Sequence, residues 1–348
     1  MLPPFFYHPI ITVLTRLYIY ISILPFKDMI CILPTLKSSV LIILPNRYLA
    51  SYIQMVSRLP LPKLLINDLT PRLLQKYSKV EKESRCKLAS AYRLISYFGW
   101  DDVIYGHTTM RLPDDTFLIN PFGLHYSEVS ASNLVKVDLA GNIVDPGTTN
   151  FGVNKAGYVL HSAIHEARQD LHAVMHIHSR EGMAVSCLPL ASLPIVQTNA
   201  FILPISSHPY EGLAVRESEK LSLAADFKAP SKVLLLENHG LLAGGSTIEE
   251  CMFKMYHFHQ VCTAIVDSGA HLKPCKTIRQ DILDETQRAA DIMSSSENGV
   301  KEFEAWMRQL DYAGLKTSYP YSFSKEWMTQ NNIFLSEAND PNDLHFLR

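Results

Sequence analysis

HAVMHIHS, residues His172 to Ser179, is the stretch around which the chain's pattern is built. The run has strand character, and strand side chains alternate between faces. His176 and His178 therefore share one face, while Met175 and Ile177 share the other. A second apolar run, Val233 to Glu237, ends in Asn238-His239-Gly240. That turn puts a third imidazole at a strand end, where sites in α/β folds lie. Two imidazoles on one strand face and a third from another strand end are enough to build a mononuclear metal site. His176, His178 and His239 are the expected ligands. Imidazoles suit zinc, iron(II), cobalt or nickel, and ligand type alone does not choose among them.

Other histidines read differently. His257 and His259 lie two apart on a predicted helix and so face different directions. His8, His125, His172, His271 and His345 have no companion that suggests a role. His161 lies on the helix before the His176 strand, where it completes the site, acts as an acid or base, or packs. Lys155, close by in sequence, is either an anion-binding residue or a solvated surface lysine.

Outward from the histidines, both helical and strand periods are present. Lys82 to Phe98 has the spacing of an amphipathic helix, with Cys86, Ala89, Leu94 and Phe98 near one face. Short strand-like runs follow at Val103 to Tyr105, Met110 to Leu112, Thr116 to Ile119, Leu134 to Leu139 and Asn142 to Val144. Pro113-Asp114-Asp115 and Ala140-Gly141-Asn142 supply turns between them. Asn154 to Arg168 returns to helical spacing, and a short helix is expected around Glu181 to Cys187. Thr247 and Glu250 fit a capping box that opens a helix from Ile248 to Ser268. Helices and strands mix on both sides of the histidines, which predicts one α/β domain over residues 80–312.

Residues 1–65 differ from the rest. They are apolar, aromatic and broken by proline, and Asp28 is their only acid. The apolar run from Ile10 to Leu24 carries Arg16 and falls short of the roughly 20 residues a membrane helix needs. A poorly ordered extension is expected here, with an organelle presequence or membrane targeting left open. Residues 313–348 form a polar, aromatic tail without a clear period.

Bulk composition excludes some classes. The 348 residues carry a formal net charge of −2, with no basic cluster to suit nucleic acid. The six cysteines are scattered with no CxxC pair, which suits reduced thiols in a cytoplasmic protein rather than a disulfide framework.

Four segments carry a family resemblance: YGHTTMRLP (105–113), FLINPFGLHYSEVSASNLVKVDLAGNIVD (117–145), NFGVNKAGYVLHSAIHEARQDLHAVMHIHS (150–179) and KVLLLENHGLLAGGSTIEE (232–250). Together they resemble the class II aldolase/adducin family, on its adducin-like branch. The resemblance implies a three-layer α/β/α domain around a mixed, largely antiparallel sheet. It also implies a homo-oligomer, by family habit a tetramer, and a metal on three histidines, here His176, His178 and His239, with zinc first and iron(II) second.

Three positions depart from the family's aldolases. The Ser-Ser-Glu run that supplies their glutamate ligand and base is Lys155-Ala156-Gly157 here. Their Gly-Asn-x-Ser is Gly106-His107-Thr108-Thr109, and their Pro-Ser-Gly is Pro121-Phe122-Gly123. The first expectation is a metal-dependent lyase for a small hydroxy-carbonyl substrate that is not a phosphosugar. His161 and His107 are its expected acid–base residues, and Lys155 and Gly123 line its substrate pocket. The alternatives are a non-catalytic, adducin-like actin-binding protein and an iron(II) oxygenase on the same fold. The adducins' work on actin and spectrin needs a long tail with a lysine-rich end, and residues up to Arg348 show none.

Overall fold

The computed structural model describes residues 20–21, 29–35, 38–44, 64–212, 217–269, 275–294 and 299–321. The chain divides into two units, Met1–Pro62 and Lys63–Arg348. In the first, strands β1 (Tyr20–Ile21), β2 (Met29–Thr35) and β3 (Ser38–Leu44) form an antiparallel sheet in the order β1-β2-β3. Most of the Ile10 to Leu24 run lies outside the described residues, as does the tail from residue 322. Among the described residues, no helix is long and apolar enough to cross a membrane.

The second unit is built on an eight-stranded sheet. Its strands are β4 (His107–Arg111), β5 (Phe117–Ile119), β6 (Val135–Val137), β7 (Ile143–Asp145), β8 (Ala173–Ile177), β9 (Ile205–His208), β10 (Val233–Leu236) and β11 (Gly240–Gly245). They run in the order β7-β6-β5-β4-β8-β11-β10-β9. Every pairing is antiparallel except β9 with β10.

The strands β8, β10 and β11 are buried along their whole length because both faces are covered. Met175, Ile177, Leu241 and Ala243 pack on one side against helices α1 (Lys79–Phe98), α5 (Ile248–Ser268) and α7 (Val300–Tyr312). Val174, Leu234, Leu236 and Leu242 pack on the other against α2 (Lys155–Ala167) and α4 (Glu217–Asp226). This is the three-layer α/β/α arrangement expected. Further helices are α3 (Arg180–Ser186), α6 (Gln280–Ser294) and a short one at Pro71–Lys76.

Caps set the long helices in place. The Ser78 side chain accepts from the Glu81 amide at the start of α1, and Gly99 ends it at φ 75°. Such an N-cap contributes about 1 kcal/mol, and a left-handed C-terminal residue is a position where glycine escapes the Cβ penalty. Thr247 caps α5 as the sequence predicts. The reciprocal half of the capping box is replaced: Glu250 accepts from the amide and hydroxyl of Ser246 and pairs with Lys232 instead.

One predicted strand is absent. Val103 to Tyr105 forms a turn, with an isolated bridge from Asp102 to Tyr105. Val103 has φ 54° and Gly106 φ 80°, left-handed values that cannot continue a strand. The turn has a use, because it holds Asp102 against the histidine site.

Candidate metal centre

The register of β4, β8 and β11 assembles the site. Leu242 faces His176 across the β8–β11 pair, and His107 faces His176 across the β4–β8 pair. His176 lies near the end of β8 and His178 just beyond it, while His239 sits in the turn between β10 and β11. That turn uses its three residues for three purposes. Asn238 takes φ 56°, a left-handed conformation asparagine tolerates. His239 supplies the imidazole. Gly240 lets β11 approach β8, since a Cβ there would lie 2.6 Å from the carbonyl of Ile177.

The three Nε2 atoms converge. His178 Nε2 is 2.8 Å from His176 Nε2 and 3.0 Å from His239 Nε2. One ligand atom from each residue lies within 4.8 Å of the others. The partners of the opposite ring nitrogens decide the tautomers. His176 Nδ1 donates to the carbonyl of Leu241 at 3.0 Å. His178 Nδ1 donates to Asp102 Oδ2 at 3.2 Å. A carbonyl and a carboxylate can only accept, so Nε2 of both rings carries a lone pair. Lone pairs aimed at one point repel unless a cation stands between them, and an outer hydrogen bond of this kind is the usual partner of a metal-bound histidine. The donor set therefore fits a divalent ion. Burial, reinforced by the charge of His178, lowers His239 to about 4, and burial holds His176 well below the ordinary value. Both rings are thus neutral and ready to bind at physiological pH.

His107 completes the wall of the site. It is 5% exposed, and neither ring nitrogen has a hydrogen-bond partner among the described residues. Burial pushes it down to about 4, and the charges of His178 and His239 push the same way. Its ring fills the space where a side chain at 157 would start: a Cβ on Gly157 would lie 2.0 Å from His107 Cε1. Gly157 and the His107 ring thus share one space, which a side chain at 157 could not enter.

His161 sits behind this wall. It is fully buried, its ring is 5.7 Å from that of His107, and its Nδ1 is 2.8 Å from Thr109 Oγ1. The same hydroxyl is 2.8 Å from His165 Nε2, and His165 Nδ1 donates to the carbonyl of Leu171 at 3.1 Å. That last bond sets the order: Thr109 donates to His165, and His161 donates to Thr109. Burial, then the charges of His107 and His165, lower His161. Of the two expected acid–base histidines, His107 alone is coupled to the triad.

Lys155 is exposed as the first residue of α2. Gly123, at φ 120°, lies on the loop that leaves β5 and packs against Phe151. Because β5 is antiparallel to β4, that loop leaves the same end of the sheet as His107. Asp102, His165 and His208 are the site-region residues that the sequence reading did not pick out. His165 had a signal, standing four residues after His161 on one helix face. His208, at the end of β9, obeys the strand-end rule that singled out His239. Asp102 had none, since its contact with His178 spans 76 residues.

Comparison with known proteins identifies the family. The family model of the class II aldolase and adducin N-terminal domain matches residues 86–266. Rat (Rattus norvegicus) alpha-adducin is 41% identical over 271 residues, 74% of this chain and 37% of that protein, so the chain spans little more than a third of that relative. An adducin-related protein of Schizosaccharomyces pombe is 38% identical over 260 residues, 71% of this chain and 79% of that one. The crystal structure of an aldolase II superfamily protein from Pseudomonas syringae superposes with a TM-score of 0.66 at 39% identity, covering 71% of this chain and 99% of that one. The chain belongs to the class II aldolase and adducin N-terminal domain family.

Proposed function

We propose that the chain is a metal-dependent lyase of the aldolase type, acting on a small hydroxy-carbonyl compound other than a phosphosugar. The observation that carries this reading is the convergence of three Nε2 lone pairs, two of them set by outer hydrogen bonds to Leu241 and Asp102. Three imidazoles with open positions suit zinc, with iron(II) as the second choice. A divalent ion held there supplies a Lewis acid for the negative charge that develops on the substrate's oxygens as its C–C bond breaks.

The chain's own groups do the rest. His176, His178 and His239 hold the ion, and burial keeps His176 and His239 neutral. His107 presents buried ring nitrogens with no protein partner, and a substrate oxygen beside the ion gives one of them its hydrogen bond. This neutral ring orients the substrate in place of the carboxylate that Gly157 lacks. Lys155, at the start of α2, pairs with an acidic group on the substrate, and the Gly123 loop borders the same end of the sheet. His161, bonded through Thr109 to His165, supports His107 and takes no part in binding. The assembly is a homo-oligomer.

The test is elemental analysis of protein produced with added zinc. One ion per chain is expected in the wild type and none in His176→Ala, together with aldehyde release from small β-hydroxycarbonyl compounds by the loaded wild type. A wild type that binds no ion overturns the reading. The identity to alpha-adducin favours a second reading, a non-catalytic head that binds actin. Saturable co-sedimentation with actin filaments, equal in wild type and His176→Ala, would support that reading and displace the first.

A further inference from the structure

A further histidine reaches the same end of the sheet by another route. His208 is the last residue of β9 and lies opposite Leu236, the last residue of β10, in the parallel pair. The turn after Leu236 carries His239. The Glu237 amide donates to the carbonyl of His208 at 2.9 Å, so the backbone ladder holds the two histidines in register.

The side chain of His208 is set as firmly. It is 4% exposed, and its Nδ1 lies 2.8 Å from Asp226 Oδ2 at the end of α4. A carboxylate accepts, so Nδ1 carries the hydrogen and Nε2 carries the lone pair. That Nε2 is buried and has no hydrogen-bond partner among the described residues. An unpaired buried nitrogen costs about 1–3 kcal/mol; His161 Nε2 shares that condition, but His208 lines a cleft together with His239 and His161 does not.

His208 and His239 line one small cleft, with Tyr210, Glu211, Glu237 and Leu160 completing it. Its free volume is about 20 Å³, room for one water or one substrate hydroxyl. The Tyr210 ring is 6.2 Å from that of His239 and half exposed, so it stands at the solvent side. The charged and titratable groups facing His208 are thus Asp226 from α4, Tyr210 and Glu211 from the loop after β9, and Glu237 and His239 from the β10–β11 turn. A carboxylate-held imidazole that lines a water-sized cleft together with a proposed metal-ligand residue is the arrangement of a general base.

We propose that His208 is the residue that takes and returns the proton in this site, with Asp226 as its positioning residue. The proposal rests on the lyase reading above and adds the proton acceptor that Gly157 cannot supply. The β-hydroxyl O–H of the substrate breaks, and its proton passes to His208 Nε2, directly or through a single water, for which the cleft has room. The O–H electron pair forms the carbonyl of the aldehyde product as the C–C bond breaks. The pair from the C–C bond stays on the other fragment as its enediolate. The imidazolium then returns the same proton to carbon, restoring neutral His208. His107 orients the substrate and the dyad moves the proton.

The experiment uses the full chain loaded with zinc and glycolohydroxamate as probe, a chelating mimic of an enediolate that binds after losing a proton. Calorimetry in two buffers of different ionisation enthalpy counts the protons released to solution on binding. Wild type is expected to retain the probe's proton. His208→Asn keeps a donor for Asp226 but has no nitrogen at the Nε2 position, and His208→Gln places an amide there that cannot hold a proton. Each is expected to release one proton more than wild type at similar affinity. Asp226→Asn is expected to move the pH at which release begins. Equal proton counts in wild type and in either folded His208 variant overturn the proposal. Failure of the zinc-loaded wild type to bind the probe overturns the lyase reading itself, a separate outcome. If His208→Asn does not fold, as judged by its circular dichroism, the proton count of His208→Gln decides.

Discussion

Two groups of histidines lie side by side here, and the same residue type does opposite things in them. In His176, His178 and His239, the outer ring nitrogens of the first two are satisfied by protein acceptors and the Nε2 atoms meet one another. In His161 and His165, the Thr109 hydroxyl links the rings and Leu171 ends the chain of bonds. In the second group the Thr109 hydroxyl joins the facing nitrogens and leaves only His161 Nε2 without a partner among the described residues, whereas in the first the Nε2 atoms face one another. His107 stands between them, its ring nitrogens unpaired among the described residues. A cluster of histidines thus signals a metal only when its lone pairs converge.

The largest effect expected from this contrast is on metal affinity. His176→Ala removes a ligand and is expected to weaken zinc binding by more than about a hundredfold, read by competition with a chelating dye. Retained stoichiometric zinc in that variant would show that the convergence is not what holds the ion.

Acid stability follows next in size and involves the histidines of both groups. Burial pushes His107 to about 4 and His165 to about 3, and lowers His161 as well. A histidine in the unfolded chain takes its proton near 6.5. Below that pH the unfolded state binds more protons than the folded one, so stability rises with pH. It is complete above about 6.5 and is lost as pH falls through the folded values. Thermal melts with a chelator present should fall steadily between pH 7 and pH 4, and a flat profile would contradict the neutral, buried state of these rings.

Asp102→Asn is expected to lower zinc affinity by about 10–100-fold, since the outer partner of His178 sets that ring's tautomer. Unchanged affinity would remove Asp102 from the site. Gly157→Ala puts a methyl group into the His107 ring and should cost about 1–3 kcal/mol of stability, as overpacking does. His107→Ala should relieve that cost in the double variant, measured by urea unfolding, and additivity of the two effects would refute the shared space. Thr109→Val leaves His161 and His165 without their link and should cost about 1–3 kcal/mol with zinc stoichiometry unchanged. Loss of zinc in Thr109→Val would join the two groups into one.

The elements around the site were legible to different degrees for reasons of range. Lys79–Phe98, Lys155–Ala167 and Ile248–Ser268 announced themselves because helical period and capping are local. The pair His176 and His178 did so because side-chain alternation is a property of any strand. Val103 to Tyr105 misled, because apolar, β-branched residues fit a turn as well as a strand when a left-handed φ is imposed. Gly157 could be seen as a missing carboxylate, yet only packing shows His107 in its place.

What the sequence alone determined is the fold class and the three histidines that the structure brings together. Each rests on a period within one element or on a residue beside the turn that carries it. Tertiary structure decided the rest: Asp102 on His178, Leu241 on His176, His107 over Gly157, and the His208–Asp226 pair beside His239. These contacts depend on which strands neighbour one another and in what register. Register is set by the summed burial of both sheet faces and is written in no single stretch of the chain.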